Sequence, residues 1–191
     1  MPCFRKGKCR WLLLVALALW PAAAPAAEFS GQMLTRVRET TVPGRIFVKD
    51  GKLRQEFIDD KGQTITILRP DKKLIWVILP LERVYMEVPM KPKWPGQFIQ
   101  IPPDARQKRP VGSERVNGYD AEKFEVTVSS REGLERQLYW VPAKLGVPIK
   151  VEVPARKFSS EYKDIKEGGV ADRLFEIPPG FEKVSTPALD Q

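Results

Sequence analysis

Few side chains in this sequence can do chemistry at neutral pH. It contains no histidine, and its two cysteines are Cys3 and Cys9. Beyond the first residues it therefore lacks the imidazole that titrates near neutrality, a thiolate nucleophile, and the best ligands for zinc, copper or haem. What remains is carboxylates, hydroxyls and lysines. Asp59 and Asp60 are adjacent in a turn, so their side chains diverge and suit turn capping better than a hard-cation site. Ser129 and Ser130 stand beside Arg131, with neither a Gly-x-Ser-x-Gly elbow nor a Ser-x-x-Lys pair. No glycine-rich phosphate loop is present. The pattern argues against an enzyme: no catalytic residue, no metal site and no cofactor is expected.

The elements that would carry any site are strands. From Gly44 to Val88, five short runs rich in β-branched and aromatic residues are separated by turn residues, the pattern of an antiparallel meander. Asp50-Gly51 supplies the positive φ angles of a two-residue hairpin turn, and Asn117-Gly118 does so again further on. Asp59–Gly62 and Pro70–Lys73 are longer turns, and Pro80 interrupts the ladder before Arg83. Ile46 and Val48, Leu53 and Phe57, Ile65 and Ile67, and Val84 and Met86 share one apolar face by alternation, with charged residues mostly on the other. Leu74–Leu79 is apolar on both faces. It needs cover on both sides, either from the protein itself or from a ligand or partner.

Phe29–Thr41 reads as a further strand before the meander. Tyr119–Ser130, Leu134–Trp140, Val147–Val153 and Phe158–Tyr162 continue the sheet after it, for ten or eleven strands in sequential order. Between the two halves lies Pro89–Pro110, with six prolines. Proline cannot donate to a central ladder, so a long connection or short helix is expected there. Its Trp94 and Phe98, among basic residues, suit a belt over the core, a lid over a cavity, or a transient contact with a membrane surface.

Residues 1–27 stand apart. Arg5, Lys6, Lys8 and Arg10 precede the apolar run Trp11–Trp20, and small residues follow from Pro21 to Ala27. This is the layout of a secretory signal, and the run is too short to span a bilayer. One domain, residues 28–191, is expected to follow, exported to the periplasm and without a disulfide, because both cysteines lie in the signal. The net charge of +8 falls to 8 − 4 = +4 without the four signal cations. Basic and acidic residues alternate along the strands, which fits a solvated face and not a nucleic-acid partner.

Three stretches carry a resemblance. They are Ile67-Leu68-Arg69-Pro70-Asp71-Lys72-Lys73-Leu74-Ile75-Trp76 with Pro80 and Tyr85-Met86-Glu87 after it, Val116-Asn117-Gly118-Tyr119-Asp120-Ala121-Glu122-Lys123-Phe124, and the ending Leu174-Phe175-Glu176-Ile177-Pro178-Pro179-Gly180-Phe181. Together they resemble an uncharacterised family of exported bacterial proteins that is similar to the periplasmic lipoprotein carriers of the LolA and LolB type. The resemblance implies a mainly β fold, a single curved antiparallel sheet forming a half-barrel, with an apolar face able to take acyl chains. The expected function is non-enzymatic binding of a lipid, a lipoprotein acyl chain or another apolar ligand, in the manner of an outer-membrane lipoprotein-sorting carrier. The expected inner wall is Phe29, Met33, Ile46, Val48, Phe57, Ile65, Trp76, Phe124, Val126 and Trp140, with Trp94 and Phe98 as a lid. The alternative is an envelope scaffold or sensor domain that binds a protein partner, its apolar face fully packed.

Overall fold

The computed structural model describes residues 27–59, 62–90, 100–130 and 133–185. Twelve strands form one open sheet: β1 Glu28–Val37, β2 Thr40–Lys49, β3 Lys52–Asp59, β4 Gly62–Arg69, β5 Leu74–Leu79, β6 Val84–Pro89, β7 Gln107–Val116, β8 Tyr119–Ser130, β9 Gly133–Pro142, β10 Lys150–Val153, β11 Phe158–Glu167 and β12 Glu182–Lys183. Their spatial order is β12-β6-β5-β4-β3-β2-β1-β11-β10-β9-β8-β7. All pairs are antiparallel except β12 with β6, which is parallel. Two one-residue slips, between Ser30 and Gln32 in β1 and between Pro110 and Gly112 in β7, bend the sheet as bulges do. The β7–β8 turn then reaches across to β11, where the Asn117 side chain donates to the Tyr162 carbonyl at 2.9 Å and to Glu161 at 2.7 Å.

Both expected hairpin turns form. Asp50 and Gly51 have φ of 50° and 74°, and Asn117 and Gly118 have 48° and 86°, the two successive positive values that a primed turn requires. The proline-rich stretch is shorter than expected, because β7 already begins at Gln107. Pro110 is tolerated there because β7 is the sheet's edge, where no second neighbour needs its missing N–H. The strand beyond the expected count is β12, whose two residues are too few to show any alternation.

Register divides the sheet into two faces. The front face carries the row Val48–Leu53–Leu68–Ile75–Val88, all buried and joined to Phe29, Met33 and Tyr162. Each such side chain withdrawn from water contributes about 1.5–3 kcal/mol before entropy is counted. The back face carries Phe47–Arg54–Ile67–Trp76–Glu87, with Ile65 and Ile78 in the next row. In β4 and β5 both faces are therefore apolar, as expected for Leu74–Leu79, whereas for β4 the one-greasy, one-wet expectation does not hold. The back of these strands is covered by the protein's own C-terminal segment, through Val170, Leu174, Phe175, Ile177 and Phe181.

Candidate functional site

The front face of β2–β6 is graded. At the end where β2 turns into β3 and β4 into β5, its apolar side chains are shut away: Leu53 is 0 % exposed and Ile75 1 %. One row on, Ile46–Gln55–Thr66–Val77–Met86, only Ile46 remains buried and the other four are half-buried. Phe57, Leu79 and Val84, nearer still to the opposite end, are half-buried too. No charged residue interrupts these rows, so the surface offers apolar area and three neutral polar side chains, Gln55, Thr64 and Thr66. Such a face can hold an aliphatic or aromatic group by exclusion of water.

The other half of the front face is differently built. The ladder Phe124–Tyr139–Val151–Ser160–Thr35 places Phe124 on the same side as Met33. Here a polar chain runs along β9. The Tyr139 hydroxyl donates to Gln137 Oε1 at 2.5 Å, Gln137 Nε2 donates to Glu135 Oε1 at 2.7 Å, and Arg156 donates to the other Glu135 oxygen. Burial pushes the Tyr139 phenol up, so it remains a protonated donor. With every member partnered, the chain fixes the wall. Beside it lies an open cleft of about 400 Å³, lined by Ile101, Phe124, Val141 and Pro148 with Lys108 and Glu122 at its rim.

Register places seven of the expected wall residues together on the front face: Phe29, Met33, Ile46, Val48 and Phe57 in one half, Phe124 and Val126 in the other. Ile65, Trp76 and Trp140 are on the back. Trp76 and Ile65 lie under the C-terminal segment. Trp140 forms a cross-strand row with Lys123 and Lys150, whose ammonium groups stand 4.6 Å and 4.3 Å from its ring centre. Its indole donates to Glu114 at 2.8 Å. The ring is also buried in the main core, in one cluster with Leu138, Leu145, Ile149 and Tyr162. Trp94 and Phe98, the expected lid, lie outside the described residues. Val77 and Leu79 are among the front-face residues absent from the expected wall, as are their partners Met86 and Val84. The signal for Val77 and Leu79 was the two-residue alternation with Trp76 and Ile78, hidden because every residue of β5 is apolar.

Two of the motif stretches meet on the back face. Arg69, 6 % exposed, donates from Nε and Nη2 to both Asp71 oxygens, at 2.9 Å and 2.7 Å. Its Nη1 donates to the Phe175 carbonyl at 2.9 Å and to Glu176 at 2.5 Å. Lys72 reaches Glu176 at 3.2 Å, and both cations sit over the Trp76 ring. The Arg-Pro-Asp-Lys turn and the Leu-Phe-Glu-Ile ending are thus the two halves of a clasp. The paired Arg69 hydrogen bonds hold the Asp71 carboxyl down at about 2, and Glu176 is lowered as well, its burial outweighed by Arg69 and Lys72. A depressed carboxyl contributes stability above its ordinary value and loses it as pH falls towards the folded one. Acid titration is therefore expected to loosen the clasp between about pH 4 and pH 2, read as a change in tryptophan emission. Arg69→Gln should remove that step.

Among the described residues no three His, Cys, Asp or Glu side chains gather as metal ligands. Fold and site together define an open antiparallel sheet with a half-exposed apolar face and a clasped back. Residues 29–142, more than half of the chain, match the family described as "Domain of unknown function (DUF4412)", and the chain belongs to that family. Its resemblance to an uncharacterised family is borne out, and the open sheet is the architecture that similarity to the lipoprotein carriers implied. No curated protein matches the sequence. Among solved structures, an uncharacterized conserved protein from Thermus thermophilus is similar over 84 % of this chain and 91 % of that one, with 15 % identity and a TM-score of 0.58. The MucA/MucB complex of Pseudomonas aeruginosa contains a chain similar over 78 % of this one, with 16 % identity and a TM-score of 0.51. Only 55 % of that chain is covered, so this protein spans little more than half of its length. At these identities the likeness is one of fold.

Proposed function

We propose that this is an exported, non-enzymatic protein that binds an apolar chain, such as a lipid or a lipoprotein acyl group, on the front face of β3–β6. The observation that carries the reading is the half-buried apolar rows of Phe57, Val77, Leu79, Val84 and Met86, which abut a fully formed core and hold no charge. A chain laid there would gain about 25 cal/mol for each Å² of apolar surface removed from water, less the cost of association. The basic, then apolar, then small-residue start of the sequence supports export.

Uptake of a fluorescent fatty acid, and native mass spectrometry of protein purified from periplasm, test the reading. Val77→Asp is expected to fold, because the site is half-open, and to weaken uptake by about tenfold or more. Equal uptake by both proteins would place the ligand elsewhere. The second reading, an envelope scaffold or sensor with this face closed as core, draws support from the buried end around Leu53, Leu68 and Ile75. A clean apo mass with no uptake would select it.

A further inference from the structure

Chain direction sorts the turns of this sheet into two sets. One end of the ribbon carries the turns between β2 and β3, β4 and β5, and β7 and β8, and the long connection from β9 to β10. The other carries the turns between β1 and β2, β3 and β4, β5 and β6, and β8 and β9, and the link from β10 to β11. Six large apolar side chains are exposed among the described residues, and four of them sit at this second end: Val37 at 46 %, Ile58 at 61 %, Leu81 at 72 % and Leu134 at 69 %. Each belongs to a different turn or strand end. Leu81 reaches beyond its own turn to lie against Gly62, where an added Cβ would stand 2.6 Å from its Cδ1. This is also the end towards which the half-buried rows of the front face open.

We infer that this end of the sheet is a membrane-docking rim, which sets its separate apolar tips into the interface of an anionic lipid bilayer. A protein partner would be met by one contiguous apolar patch. Tips dispersed over four turns fit a fluid surface, which accepts each independently. Charge agrees with the choice: Arg36, Arg38, Arg83 and Lys157 are exposed among the same turns, where lipid phosphates would lie, against the exposed acids Glu39, Asp59 and Glu82. The inference rests on the proposed function only for its purpose, since a rim at the open end would let a chain pass from bilayer to sheet without crossing water.

Flotation of the purified protein with phosphatidylglycerol vesicles, and with phosphatidylcholine vesicles as comparison, tests it. The wild type should float with the anionic vesicles, and Leu81→Asp/Leu134→Asp should reduce the partition coefficient by about tenfold or more with unchanged thermal unfolding. Val77→Asp should float as the wild type does while taking up fatty acid about tenfold or more weakly. A wild type that stays at the bottom of the gradient overturns the rim, as does flotation that ignores the double substitution. A dimer in solution that the double substitution dissolves also overturns it, by assigning these tips to a second copy of the chain. Flotation without any fatty-acid uptake would keep the rim and remove the proposed ligand.

Discussion

Phe175→Ala is expected to lower the free energy of unfolding by about 3–5 kcal/mol, the range for truncating a buried aromatic ring. Phe175 is 1 % exposed and packs with Phe47, Ile65, Ile67, Trp76 and Ile78. Its carbonyl accepts from the buried Arg69 guanidinium, and the Lys52 ammonium lies 5.7 Å from its ring. Removing the ring opens a cavity under the clasp and loosens the hold on that carbonyl, so the back of β4 and β5 becomes wet. Urea titration measures the loss, and faster proteolysis near the C-terminus should accompany it. A change below about 1 kcal/mol would show the clasp to be an accessory and not part of the core.

Trp140→Ala should cost about the same, about 3–5 kcal/mol, for a different reason. Trp140 is 1 % exposed and belongs to the main buried core, in one cluster with Ala121, Leu138, Leu145, Ile149 and Tyr162, not to the core under the C-terminal segment. Lys123 and Lys150 add cation–ring contacts from the strands on either side. Truncation strands both lysine stems over a void and releases Glu114 to water. Trp140→Phe keeps a six-membered ring but loses the indole hydrogen bond and part of the buried volume, so a smaller cost of about 1–3 kcal/mol is expected. If the two substitutions were equally harmful, the part of the indole that phenylalanine lacks, with its bond to Glu114, would be the main contribution.

Local signals made most of the architecture legible. Asp50-Gly51 and Asn117-Gly118 encode their turns in residues that tolerate positive φ, and strands such as β8 encode their faces by alternation. Pro110 misled, because the restriction on proline depends on whether a strand has a neighbour on both sides, and edge position is a property of the assembled sheet. Trp94 and Phe98 lie in a stretch where composition gave a role without a geometry. For the wall, periodicity told which residues within a strand share a side. It could not tell which side of β4 or β5 matches the side of β2 that carries Ile46, because register between strands is a tertiary quantity and a shift of one residue exchanges the faces.

The amino-acid sequence by itself determined that this chain is a β meander without histidine, because turn residues, alternation and composition act over a few residues at a time. Only the tertiary structure decided that the Arg69 turn and the Phe175 ending form one clasp, which removes Trp76 and Ile65 from the front face and leaves Val77 and Met86 half-open there. Those pairs are separated by about a hundred residues, and contacts at that range are chosen by how the whole sheet closes on its core.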